Sequence, residues 1–183
     1  MNLPTWITLS RLVGLPFLLY LLHNPSPQGC WISLGIFLVA ASTDWVDGYL
    51  ARKLDQVTEL GKFLDPLVDK LLVFAPFLAL IELGEVPAWG VFLILFRELA
   101  IAGWRVNPQL SGSTSISGAS IWGKLKTVSQ IGAIALLIAP LPTAWNRVAL
   151  SVFWLSVILT LISGGLYIWP QKSASPSITT AER

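Results

Sequence analysis

Charge is what this chain has least of. Only 12% of its 183 residues are charged, about half of the ~25% found in a soluble domain. That scarcity, with 54% hydrophobic residues and a mean hydropathy of +0.69, excludes an ordinary water-soluble fold and reads as an all-α integral membrane protein. The net charge of +2 is small and its basic residues are dispersed, so a nucleic-acid partner is excluded. A single cysteine, Cys30, excludes any internal disulfide and says nothing about redox compartment. Tryptophan, by contrast, is plentiful. Trp6, Trp31, Trp89, Trp122, Trp145 and Trp169 fall where apolar runs begin or end, as an interfacial aromatic belt requires.

Six apolar runs follow one another, near 5–22, 30–50, 64–82, 87–106, 121–140 and 145–169. Each approaches the ~20 residues that cross a bilayer as a helix. The first is a span rather than a cleaved signal: no basic segment precedes it, Arg11 interrupts it and no small-x-small site follows. Pro27 and Gln28 likewise speak against lipoprotein processing at Cys30. Residues 111–120 form a Gly/Ser-rich connector. The chain divides into a transmembrane domain, 1–170, and a polar, disordered tail, 171–183.

Six spans place both termini on one side. Every Lys and Arg except Arg147 then falls on that side, so the termini are expected in the cytoplasm. The acidic residues of the central stretch face the same way. His23 falls at the opposite interface, as a headgroup contact, and Cys30 is expected to be inert.

That central stretch reads Asp44-Trp-Val-Asp47-Gly48-Tyr-Leu-Ala51-Arg52, then eight residues, then Gly61-Lys-Phe-Leu-Asp65-Pro66-Leu-Val-Asp69. Asp44 and Asp47 share one helix face in the last turns of the second run; Asp65 and Asp69 share another in the first turns of the third. One Asp at the centre of a membrane helix costs about 2.5–3.5 kcal/mol. Four near a bilayer need a cationic partner. Hard divalent cations with oxygen ligands fit, Mg²⁺ before others, and no His or Cys accompanies the cluster to suggest zinc. Two such ions can clamp both oxygens of a phosphoryl displacement. Gly48 and Ala51 lie within about 40° of Asp44 around the helix and leave room for a nucleotide or pyrophosphate. Arg52 can add a phosphate fork. Pro66 suits an N-terminal helical turn. Asp55 and Glu59 read as solvated loop residues.

The pattern D-x2-D-G-x2-A-R-x8-G-x3-D-x3-D, complete here, resembles the signature of the CDP-alcohol phosphatidyltransferase family. The resemblance implies six transmembrane helices around a cytoplasm-facing polar cavity. It implies that Asp44, Asp47, Asp65 and Asp69 hold two divalent cations, Mg²⁺ or Mn²⁺. Asp44 and Asp65 would bridge both ions, Asp47 would complete one and Asp69 the other. Asp69 would also be the catalytic base, and Gly48, Ala51, Arg52 and Thr58 would contact CDP-diacylglycerol. Pro4-Thr5-Trp-Ile-Thr8-Leu-Ser-Arg11 resembles the family's N-terminal motif, with Thr5 where many members have Asn.

Arg97-Glu98, Arg105 and Gly123-Lys124-Leu-Lys126-Thr127 resemble the branch whose acceptor is glycerol 3-phosphate. Arg97, Arg105, Lys124 and Lys126 would then bind the acceptor phosphate, although flanking lysines also serve as headgroup contacts and Arg97 can pair structurally with Glu98. A bacterial plasma membrane is the expected location, in contact with membrane lipid. Gly164-Gly165 offers a close helix approach or homodimer contact, or simply a loose lipid-facing stretch.

Other readings remain at this point. Inositol phosphate, serine or phosphatidylglycerol could be the acceptor. Intramembrane aromatic prenyltransferases also use Asp pairs, but lack the Gly-x2-Ala-Arg run. An Asp-lined cation transporter would need polar groups across the whole membrane, whereas here they form one layer.

Overall fold

The computed structural model describes the backbone of residues 3–54, 59–106 and 121–168, and the side chains of 8–43, 64, 66–104 and 121–166. The described residues form six helices and no strand: α1 (Leu3–His23), α2 (Pro27–Leu54), α3 (Glu59–Glu82), α4 (Ala88–Val106), α5 (Ile121–Ile138) and α6 (Asn146–Ile168). A 3₁₀ turn, Thr143–Trp145, leads into α6. The connector at 107–120, Thr58, and the tail from 169 onward lie outside the described residues.

Hydropathy placed the helices well but cut two of them short. α2 continues to Leu54 and α3 begins at Glu59. Arg, Lys, Leu and Glu are all good helix formers, so the helical ladder carries on after the apolar run stops. Asp44 and Asp47 therefore stand well inside α2 rather than in its last turns. Asp65 and Asp69 stand in the second and third turns of α3, and Glu59 belongs to a helix rather than a loop. Pro66 is likewise interior to α3, as is Pro76. Neither can donate to the carbonyl four residues earlier. The Pro66 carbonyl itself accepts from Lys70 Nζ at 3.1 Å.

Short connections at one end enforce an up-and-down order. Ser26 caps α2, its Oγ accepting from the Gly29 N–H at 3.0 Å, with Pro27 at the first helical position where a missing N–H costs nothing. α3 ends in a paired closure: Glu85 N–H donates to Leu80 O at 2.9 Å and Gly84 N–H to Ile81 O at 3.0 Å. That closure requires the left-handed backbone of Gly84, φ 75°. At this end a cavity of about 350 Å³ is bounded by Leu22, Cys30, Leu80, Glu85, Pro140 and Asn146. These residues come from the end of α1, the start of α2, the end of α3 and so on, so consecutive helices alternate in direction. His23, exposed at this end, has Nδ1 3.2 Å from Glu82 Oε1 and so joins α1 to α3 there.

α3 is the central helix, packed on α1, α2, α4 and α5, while α5 and α6 form the most closely packed hairpin. The core runs through Phe37, Phe77, Leu80, Ile94, Ile134 and Phe153, each fully buried. Phe77 and Phe153 meet edge to face with centroids 5.6 Å apart. Along the α5–α6 seam, Gln130 Nε2 donates to Thr160 Oγ1 at 2.9 Å, and Thr160 Oγ1 donates to Ser156 O at 2.7 Å. Polar contacts of this kind join helices where apolar contact gives no preference for a neighbour.

Gly90 shows how tight the α4–α6 contact is. A Cβ there would lie 2.8 Å from Phe153 Cζ and 3.2 Å from Trp154 Cη2. Gly90→Ala should therefore destabilise by about 1–3 kcal/mol, an overpacking cost that helix propensity only partly offsets. Thermal unfolding in detergent checks this; an unchanged or raised Tm would contradict the packing described.

The outer surface is as apolar as the core. Val13, Phe17, Tyr20, Phe92, Phe96, Val128 and Ile158 are all more than half exposed, far more apolar patch than a soluble monomer shows. Among the described residues two segments, Ile121–Ile138 and Thr143–Leu166, are long and apolar enough to cross a membrane, with shorter apolar stretches at Thr8–His23 and Pro27–Thr43.

Candidate active site

Charged groups gather at the other end of the bundle, where α3 begins and α6 ends. Asp69 lies 13 residues before Glu82 on α3, about 20 Å along the axis at ~1.5 Å per residue. Its side chain is 53% exposed, and Arg11 of α1, buried, brings Nη1 to 4.0 Å from its Oδ1. A buried guanidinium at that distance limits the directions in which the carboxylate can swing. Arg11, read from sequence as an interruption of the first run and part of an N-terminal motif, is thus a neighbour of the predicted base.

The other three carboxylates are placed by their backbones. Asp44 and Asp47 lie one turn apart on α2, and Asp65 lies one turn before Asp69 on α3. α2 and α3 pack against one another. The side chains of Asp44, Asp47, Gly48, Ala51, Arg52, Asp65 and Arg105 lie outside the described residues, as does Thr58. Among the described residues no three His, Cys, Asp or Glu side chains converge. The donor set still fits a hard divalent cation, since it offers carboxylate oxygens only and the Asp69 carboxylate is open to solvent.

A second cluster links three helices. Arg97 of α4 donates from Nη1 to Glu98 Oε1 at 3.1 Å, and Lys126 of α5 makes a short charged hydrogen bond to the same oxygen. Arg97 Nη2 donates to Ser163 Oγ of α6 at 2.9 Å. All three charged side chains are largely buried, at 12%, 17% and 11% exposure for Arg97, Glu98 and Lys126. Two cations and one anion leave the triad with a net positive charge. Lys70 of α3 stands within electrostatic range of Lys126 and adds to it. Arg97 Nε is buried without a hydrogen-bond partner among the described residues. An uncompensated buried charge is costly, so the cluster is suited to receive an anion from outside.

The structure thus brings Arg97 and Lys126 together, and separates Lys124 from them. Lys124 is exposed, two positions and therefore about 200° away from Lys126 around the helix. The role of Glu98 as the bridge was not read from the sequence. Its signal was available: opposite charges inside apolar helices must find each other.

The helical bundle thus has apolar flanks, carboxylates on two packed helices and a buried charged cluster towards the same end. The profile of the CDP-alcohol phosphatidyltransferase family matches residues 1–162, and the chain belongs to that family. It is similar to a Bacillus subtilis protein named CDP-diacylglycerol–glycerol-3-phosphate 3-phosphatidyltransferase, 39% identical over 182 residues, with 91% of this chain and 93% of that one covered. A protein of the same name from Salmonella typhimurium is 36% identical over 167 residues, covering 88% and 90%. One from Pseudomonas fluorescens is 34% identical over 194 residues, covering 100% and 95%.

Proposed function

We propose that this enzyme transfers the phosphatidyl group of CDP-diacylglycerol to glycerol 3-phosphate, giving phosphatidylglycerophosphate and CMP. The observation that carries this reading is similarity along nearly the whole chain to relatives named for that reaction. The buried Arg97–Glu98–Lys126 cluster, with its surplus positive charge, gives the acceptor's phosphate a place to bind.

In this reading all six helices span a bacterial plasma membrane with both termini cytoplasmic. The apolar outer surface and the concentration of basic residues on one side support it. The diacylglycerol chains stay in the bilayer while the headgroup enters at the cytoplasmic end. Gly48, Ala51, Arg52 and Thr58 contact the cytidine diphosphate. Arg97 and Lys126, with Arg105, hold the acceptor phosphate, while Lys124, exposed on the far side of α5, meets lipid headgroups.

Asp44, Asp47, Asp65 and Asp69 are the residues that would hold two divalent cations, which when bound would neutralise the pyrophosphate and the charge that develops on it. Asp69 accepts the proton from the C1 hydroxyl of glycerol 3-phosphate. That oxygen forms a bond to the lipid-side phosphorus, the bond from that phosphorus to the bridging oxygen breaks, and CMP departs with the electron pair. Arg11, 4.0 Å away, helps hold Asp69 in place. Positioning and electrostatics supply most of the acceleration.

An acceptor comparison tests the assignment. Purified enzyme with CDP-diacylglycerol should release CMP in the presence of glycerol 3-phosphate, at a kcat/KM at least about 100-fold above that for inositol phosphate, serine or phosphatidylglycerol. A site with buried cations discriminates strongly against serine, which leaves them unpaired; inositol phosphate brings a phosphate of its own and is discriminated by its bulkier ring alcohol. Equal or better use of serine would overturn the assignment.

A further inference from the structure

Arg97 is held from α6 by two adjacent residues that the family signature does not include. Its side chain crosses α6 where Gly164 has no Cβ. A methyl built there would lie 2.8 Å from Arg97 Cγ and 3.2 Å from Nε. At the neighbouring position Ser163 Oγ, buried at 6% exposure, accepts from Nη2 at 2.9 Å. Glu98 Oε1 accepts from Nη1 at 3.1 Å. The guanidinium is thus fixed at its stem and at both terminal nitrogens. Gly165 is different: among the described residues, a Cβ there would meet nothing within 4 Å. The two glycines, alike in sequence, are unlike in structure, and among the described residues the side chain of Arg97 lies against Gly164 and not against Gly165.

We infer that Ser163 and Gly164 are positioning residues for the acceptor, forming a seat on the last helix that aims Arg97 at the acceptor's phosphate. The inference rests on the acceptor reading above and deepens it. An arginine side chain is long and rotamer-rich, and a planar fork recognises phosphate only when its orientation is set. Glu98, itself tied to Lys126 of α5, sets one edge of the guanidinium, and the stem and the second terminal nitrogen must still be placed against the bundle. The seat on α6 does that. It also gives a reason for a glycine inside α6, four residues before its end, where it would otherwise be unfavourable.

The test is a double-mutant cycle read on substrate KM values. The wild-type acceptor profile is measured first. Gly164→Ala should raise KM for glycerol 3-phosphate by roughly 10- to 100-fold, as displacements near 1 Å do, with KM for CDP-diacylglycerol unchanged. Ser163→Ala, a milder variant that keeps the packing, should raise it by about tenfold through loss of one charged hydrogen bond. Gly165→Ala should change neither. In an Arg97→Ala background Gly164→Ala should have no further effect on that KM, because the residue it displaces is gone. Independent, additive effects would overturn the seat, as would equal losses for Gly164→Ala and Gly165→Ala or a parallel rise in both substrates' KM. A wild-type preference for another phosphorylated acceptor would defeat the choice of glycerol 3-phosphate alone, and the cycle would then be read on that acceptor's KM. A preference for an acceptor without phosphate would overturn the seat as well.

Discussion

Asp69→Asn lowers kcat by roughly 10²–10⁴-fold, the usual contribution of a positioned general base, and leaves the affinity for CDP-diacylglycerol within about twofold. Asparagine keeps the shape of the side chain but cannot accept a proton from the acceptor hydroxyl at neutral pH. Asp69 suits the task because its carboxylate is half-exposed yet sits beside the buried Arg11. From there it can reach a bound acceptor. Kinetics with saturating glycerol 3-phosphate, together with direct binding of CDP-diacylglycerol to the variant, check this. Retained turnover would remove Asp69 as the base; lost donor binding would show that its chief role is to organise the donor.

Removing divalent cations with a chelator abolishes turnover, by more than about 10³-fold, since such ions contribute several kcal/mol of charge stabilisation. Added Mg²⁺ or Mn²⁺ restores it. The expectation follows from a donor set of carboxylates alone, on α2 and α3, two helices that pack together. Helix content by circular dichroism should stay constant through depletion and return, because the bundle is held by its own core and seams. Chelator-resistant turnover would mean that the four carboxylates serve some other purpose.

The helices were readable because apolar runs in this chain are long and their interruptions few. The expected run near 87–106 became Ala88–Val106, and that near 145–169 became Asn146–Ile168. What hydropathy could not supply was the continuation of a helix after its apolar stretch ends. Leu54 and Glu59 are joined to α2 and α3 by backbone hydrogen bonding and good helix propensity, and both terms are blind to polarity. Pro66 was misplaced for the same reason, since its position in the helix depends on where the helix starts.

Within the site, residues close in sequence were legible and residues brought together by packing were not. Asp65 and Asp69 are one turn apart in any helix, so their shared face needed no structure. The Glu98 bridge to Lys126 spans 28 positions, and the Arg97 hydrogen bond to Ser163 spans 66. Charge balance alone could say that Glu98 needed a cation, but not which one. Gly164 was harder still. As a sequence feature it suggested a helix–helix approach or a lipid-facing stretch, and only the path of the Arg97 side chain shows what fills the space.

The account stands on acidic side chains of α2 and α3 gathering around a pair of ions. Electron paramagnetic resonance of the purified enzyme titrated with Mn²⁺ measures that directly. The account predicts two tightly bound ions per chain with the spin-coupled signal of a close pair, reduced to one or none by Asp65→Asn. A single uncoupled ion, or a stoichiometry that Asp65→Asn leaves untouched, would contradict it.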